Sequence, residues 1–289
     1  MCCLPWRLQY KGYRLLMHVR LISGFAMVGA FAMGGMGASA QDKAGVALPP
    51  VTVSAQANRD PVEKSYRKMI RGMDLFAQQR GMAPNAALRF KLLPRWRGTD
   101  MNRVEMEVLG ATVDFAVPIA ADHTFTLERN QKAFDEDAQV TPNRKAQSMT
   151  WRTEVRTPGL PPNTLRLGDL RLECRVGMEA GLVSNSRTWI GRLARAVLDT
   201  PAYCDSQTQR YLFFADRPVF SVTLVAGERQ QILAIDKLYA GASEDSGLKD
   251  ELPYCDCEVL LDRAYELPLG DRSWPDETLV VFEAMGDGP

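Results

Sequence analysis

Histidine is almost missing from this chain: 289 residues hold two, His18 and His123. There is no G-x-S-x-G, so a Ser-His-acid triad has no footing. Glycine-rich phosphate loops and histidine-rich metal motifs are also lacking. Neither charge is in excess, with 35 Lys+Arg against 35 Asp+Glu. A nucleic-acid protein normally shows a clear cationic surplus, so nucleic acid is excluded as a general partner. Beyond residue 40 no apolar run reaches the roughly 20 residues of a membrane-spanning helix. No catalytic residue, cofactor or resident metal is predicted.

What is present begins with an export signal. Residues 1–40 carry Arg7, Lys11, Arg14 and Arg20, no acid, an apolar run from Leu21 to Met36, and Ala38-Ser39-Ala40 before Gln41. That is the pattern of a cleaved secretory signal. Its standard form starts at Met17, which makes Met17 the alternative true start. No cysteine stands at the cleavage point, so a lipid anchor is not expected. Removal of four basic and no acidic residues leaves acids in excess by four in the remaining 249 residues. The expected location is periplasmic or secreted. Residues 41–58, with Pro49-Pro50, read as a flexible leader.

Next comes an amphipathic helix. Asp60 and Pro61 suit its start, and Val62, Tyr66, Met69, Ile70, Met73, Phe76 and Ala77 recur at three- and four-residue steps. Gly81 suits its end. Met69 and Met73 read as packing side chains rather than copper ligands.

After Pro84 the period becomes two. Leu88, Phe90 and Leu92, then Val104, Met106 and Val108, then Val113, Phe115 and Val117, then Phe125 and Leu127, alternate with polar residues. Trp151, Thr153 and Val155 continue the pattern, as do Leu170, Leu172, Cys174 and Val176. Regular spacing of short strands predicts antiparallel β-sandwich units. A short connecting helix is expected around Trp189, Ile190, Leu193 and Val197. Beyond it, Val219 to Val225 with Ile232 reads as a hairpin, and Val259–Leu261 and Leu279–Phe282 as strands. The expected organisation is a helix-plus-sandwich domain over 59–183 and a second β-rich unit over 184–289.

Four cysteines survive processing: Cys174, Cys204, Cys255 and Cys257. In an oxidising compartment an even count predicts two disulfides. Residues two apart on a strand lie roughly 6.5–7 Å apart at Cα, at the upper edge of disulfide reach. Cys255 and Cys257 are therefore each expected to pair with Cys174 or Cys204. The rival readings are a metal site and a C-x-C thiol pair. The first lacks C-x₂-C spacing and histidine, and the second departs from C-x-x-C.

Two further features suggest sites. Arg89 and Lys91 alternate with Leu88, Phe90 and Leu92, and Arg95, Trp96 and Arg97 extend them into a cationic strip with an indole. Such a strip suits lipid phosphates, an acidic glycan or a protein partner, and also reads as a solvated sheet face. Asp135, Glu136 and Asp137 cluster, as do Glu244, Asp245, Asp250 and Glu251, without calcium-loop spacing.

Gly168-D-L-R-L-E-C-R-V-G-M-E-A-G-L-V-Ser184, Leu252-P-Y-C-D-C-E-V-Leu260 and Pro268-L-G-D-R-S-W-P-Asp276 resemble an uncharacterised family of exported proteins of Gram-negative bacteria. Val117-P-I-A-A-D-H-T-F-T-Leu127 is similar to the strand-turn-strand of transthyretin-like and carboxypeptidase-regulatory β-sandwiches, with His123 where glycine is usual. That resemblance implies a non-catalytic module. The resulting expectation is a non-enzymatic binding or accessory protein of the envelope, acting on an unidentified envelope protein or glycan. The alternatives are a carboxylate-dependent hydrolase of an envelope glycan, and a thiol or metal carrier using Cys255 and Cys257.

Overall fold

A computed structural model describes residues 63–145, 148–182, 200–207, 211–238 and 262–286. All belong to one compact unit, Ala55–Pro289. The export signal, the leader, Asp60 to Val62, the connecting helix, the 183/184 boundary, strand 259–261, the later acidic loop and Cys255 and Cys257 lie outside the described residues.

The protein is mainly β, with antiparallel sheets. The first strand, β1 (Lys64–Ser65), leads directly into α1 (Tyr66–Gln78). Ser65 is extended and its Oγ accepts the Lys68 N–H at 3.1 Å, so it is the N-cap. The helix thus starts later than Asp60-Pro61 suggests, because Lys64 and Ser65 pair with Val140 and Gln139. Tyr66, Met69, Ile70 and Phe76 are buried as the stripe predicts, while Ala77 is exposed. Gln79, not Gly81, caps the C-terminus.

Two sheets share the first core. One holds β1, β6 (Gln139–Pro142), β3 (Met106–Leu109) and β4 (Asp114–Ala116) in the order β1-β6-β3-β4. The other is β5-β2-β7, formed by β5 (Thr124–Phe125), β2 (Ala87–Pro94) and β7 (Met149–Arg156). Phe90, Leu92, Phe125 and Trp151 from one meet Met106, Val108 and Val140 from the other, with Tyr66, Met69 and Ile70 of α1. Alternation puts these residues on one face of each strand, as in a sandwich. Between β4 and β5 the Asp122-His123 turn forms as predicted. His123 has φ +60°, the left-handed conformation that glycine adopts most easily. Asp122 Oδ1 steadies that turn by accepting from the Thr124 N–H and hydroxyl.

A second layer is built from β8 (Thr164–Arg166), β10 (Val219–Ala226), β11 (Arg229–Ile232) and β13 (Leu279–Ala284) in the order β11-β10-β13-β8. The predicted β10–β11 hairpin turns at Gly227, φ +60°. A short pair, β9 (Leu212–Phe214) and β12 (Ala264–Glu266), lies beside it.

The alternation of Leu170, Leu172, Cys174 and Val176 is not a strand. It belongs to a helix, α3 (Leu167–Glu179), buried around almost its whole circumference. Leu170, Cys174 and Met178 stand at four-residue steps and pack with Val222, Leu224 and Val280. Leu172 and Val176, also four apart, pack with Phe76 of α1 and Val155 of β7. Two helical stripes offset by two residues imitate a period of two. Gly168 lets α3 come close to its neighbours, since a Cβ there would lie 2.2 Å from the Met82 carbonyl oxygen.

The expected disulfide connectivity is also corrected. Cys174 on α3 is bonded to Cys204 in the 3-10 turn Pro201–Asp205, with 6.0 Å between Cα atoms. Neither is therefore available to Cys255 or Cys257.

Candidate functional site: a charged cleft over the β2–β7 ladder

The site begins with the register of two strands. Arg89 pairs with Glu154, Lys91 with Arg152 and Ala87 with Arg156. Opposite residues of an antiparallel pair share a face, so this face carries four cations and one anion. The missing negative charge comes from elsewhere in the chain.

Arg89 reaches Glu154 at 2.8 Å and Asp122 at 3.3 Å. Lys91 Nζ contacts Glu154 at 3.3 Å and Asp216, in the β9–β10 connection, at 2.6 Å. Both Glu154 carboxylate oxygens are thereby engaged. Glu173 of α3 accepts the Arg156 Nη1 and, at 3.1 Å, the Val155 N–H. Among the described strands β7 is at the edge of its sheet, and α3 covers its open side with this carboxylate.

Arg152 differs from its neighbours. Its residue is 9% exposed, yet its guanidinium makes no hydrogen bond or ion pair among the described residues, and Nε is unsatisfied. Its guanidinium carbon lies 4.5 Å from the centre of the Phe214 ring, a cation–π contact.

Above this face opens a cleft of about 490 Å³. One wall is Arg89, Lys91, Glu154 and Arg156. Thr164 and Leu165 of β8 and the β9–β10 connection also line the cleft, while Phe214, Tyr265 and Phe282 add aromatic surface. Tyr265 and Phe282 meet edge to face at 4.9 Å, and Tyr265 stacks on Phe213 at 5.4 Å. Deeper, a void of about 20 Å³ lies among Arg152, Thr153, Glu173 and Tyr211, and shares Lys91, Glu154 and Arg156 with the cleft.

Burial sets the electrostatics here. It lowers the pKa of Arg152, raises that of Glu173 against the opposing charge of Arg156, and pushes the Tyr211 hydroxyl up to about 12. The Tyr265 hydroxyl is raised for the same reason. For Lys91 burial acts downward, but Asp216 and Glu154 outweigh it and the pKa rises. For Asp216 burial acts upward, and the Lys91 hydrogen bond and charge bring it below the ordinary value.

The predicted cationic strip is divided. Arg89 and Lys91 reach the cleft, as half-buried, ion-paired groups rather than solvated ones. Arg95 is buried at 5% exposure, and Trp96 and Arg97 are exposed; none of the three lines the cleft. The strand ends at Pro94, and the Arg95 N–H binds the Ser148 carbonyl. His123 lies outside the cleft, with Nε2 3.0 Å from the Met101 carbonyl. The Asp135–Asp137 cluster is pulled apart: Asp135 ends the short helix α2 (Gln131–Asp135), Glu136 binds Thr112, and Asp137 binds Ser65. Among the described residues no group of three or more His, Cys, Asp or Glu is placed to hold a metal, and no helix is long and apolar enough to cross a membrane.

No sequence family, characterised protein or solved structure matches the chain.

Sequence reasoning missed Arg152, Glu154 and Arg156. They are the polar half of the same β7 alternation whose apolar half was read, and pairing β7 with β2 in register would have placed them opposite Arg89 and Lys91. Asp216, Phe214 and Tyr265 carry no such local signal.

Proposed function

We propose that this is a non-enzymatic binding or accessory protein of the cell envelope, exported to the periplasm, whose ligand occupies the cleft over the β2–β7 ladder. The observation that carries this reading is the cleft itself: about 490 Å³, open, and lined both by ion-paired charged side chains and by aromatic rings. Small-molecule sites have this size and this mixture of apolar surface with a few placed polar groups. The Cys174–Cys204 bond suits an oxidising compartment.

The carboxylates favour binding over hydrolysis. A glycosidase needs one carboxyl able to give a proton and a second facing the sugar. Among the described residues Glu154 is held by two cations, and Asp122 and Asp216 each by one. Carboxylates engaged by cations suit the positioning of a ligand better than the transfer of a proton.

Native mass spectrometry of the mature protein isolated from the periplasm tests this. A stoichiometric small molecule, released by organic extraction and absent from Phe214→Ala, supports the binder. Cleavage of envelope glycan fragments by the purified protein, abolished in Glu154→Gln, would replace it with the hydrolase.

A further inference from the structure

We infer that the cleft selects a ligand bearing a carboxylate or phosphate group, and that this group enters by displacing Asp216 from Lys91. The inference rests on the reading of the cleft as a ligand site and names its ligand chemistry.

Charge on the ladder face comes first. Arg89, Lys91, Arg152 and Arg156 face one ladder anion, Glu154. The balance is restored by Asp122, Glu173 and Asp216, and these are not held equally. Glu173 is 8% exposed at its side chain and is tied to backbone as well as to Arg156. Asp216 is 82% exposed, while the Lys91 it holds is 16% exposed. A half-buried lysine is thus neutralised from the solvent side by a carboxylate at the cleft wall. An ion pair with one well-solvated partner is weak, so exchange of that carboxylate for another anion is nearly neutral at this bond. Additional contacts within the cleft then decide the balance.

Two such contacts are present. Arg156 uses Nη1 for the Val155 carbonyl and Glu173, and its Nε and Nη2 donate to no described residue. Guanidinium nitrogens of this kind match the paired oxygens of carboxylate and phosphate. In the adjoining void, Arg152 is a desolvated cation without an anionic partner among the described residues, and it adds positive potential beside the cleft. The void beside it, about 20 Å³, has room for one water and not for an acid group. The anion therefore stops at the level of Lys91 and Arg156, and Arg152 acts on it from the adjoining void. The rest of the ligand lies along Phe214, Tyr265 and Phe282, where apolar or ring surface fits.

Three probes of similar size separate the possibilities: phenyl phosphate, benzoate and neutral benzyl alcohol, titrated into the full mature protein with amide NMR shifts as readout. At least one anion is expected to bind with shifts at Lys91, Arg156 and Asp216, and benzyl alcohol at least tenfold more weakly. The better anion identifies the acid group. Asp216→Asn, which removes the competing charge at an exposed position, is expected to tighten anion binding about five-fold, the factor equivalent to about 1 kcal/mol. Lys91→Met is expected to weaken it at least tenfold, a larger factor than for benzyl alcohol. Unaltered anion affinity in Asp216→Asn overturns the displacement. Equal binding of benzyl alcohol overturns the ligand class while leaving the cleft a binding site. No saturable shift from any probe also overturns it, and the extraction experiment then decides the binder reading separately.

Discussion

Glu173 Oε2 accepts two hydrogen bonds from neighbouring residues of one strand, the Val155 N–H and the Arg156 Nη1. With the Thr153 hydroxyl, which donates to the Glu173 carbonyl at 2.8 Å, this oxygen fastens the central helix α3 to the sheet that bears the cleft. Glu173→Ala leaves a buried N–H unsatisfied and a half-buried guanidinium unpaired. The expected loss is about 3 kcal/mol, read as a lower urea midpoint at unchanged m-value. Glu173→Gln keeps an acceptor for the N–H and resembles the neutral carboxyl that burial favours, so it is expected to lose much less.

The same carboxyl gives a pH dependence of defined sign. Its folded-state pKa is raised above the ordinary 4.5 by burial, so between the two values the folded protein holds a proton that the unfolded chain has released. Stability from this group is fully present below the unfolded value and is lost as pH rises through the folded one. Asp169, also raised by burial, adds in the same direction above 3.8. Wild-type protein compared with Glu173→Gln at about pH 4 and about pH 7 should show a smaller fall in stability for the variant. Equal slopes would remove Glu173 from the account.

The Cys174–Cys204 bond closes a separation of 30 residues. Loop-closure entropy for such a span corresponds to roughly 3–4 kcal/mol, the expected loss in the Cys174→Ala/Cys204→Ala double variant. Alkylation of denatured, unreduced protein should leave both residues unlabelled. Labelling of either contradicts the pairing.

Arg152 is expected to behave as a functional residue held at the expense of stability. A buried cation without an anionic partner is unfavourable, and Arg152→Met removes it while keeping most of the volume against Phe214. The variant should be more stable by about 1 kcal/mol in urea. It should also bind the anionic probe several-fold more weakly. A destabilised Arg152→Met, or one with unchanged anion affinity, would mark Arg152 as structural.

Strands with one wet and one buried face were legible. Leu88, Phe90 and Leu92 and the β10–β11 hairpin alternate because water lies on one side, and the sequence records that contrast. α3 was not legible as a helix because it has hardly any wet side. Its residues answer to two cores at once, so the pattern records neither. β8 and β12 are three residues each, too short for any period to register. The candidate site divides in the same way. Arg89 and Lys91 stood out as an alternating cationic pair, whereas Asp216 is brought to Lys91 across 125 residues of chain. Cys174 and Cys204 were recognised as disulfide cysteines, but their pairing depends on α3 lying against the 3-10 turn, a packing relation that spacing does not encode.

The order of strands in the second layer bears on how the chain reaches its native state. β8 pairs with β13, so Thr164–Arg166 must wait for Leu279–Val281 before their ladder can form. α3 follows β8 without a break and takes the core partners of one of its two sides from β10 and β13. A chain emerging from N- to C-terminus can therefore cover the α1- and β7-facing side of this helix early, and leaves its other side uncovered until nearly all of the chain has been delivered. Long-range pairing of this kind is slow and leaves sticky surface exposed meanwhile. A nascent or truncated form ending before residue 279 is expected to be a client of chaperones and a substrate of proteases, even though the β2–β7 ladder is already complete within it.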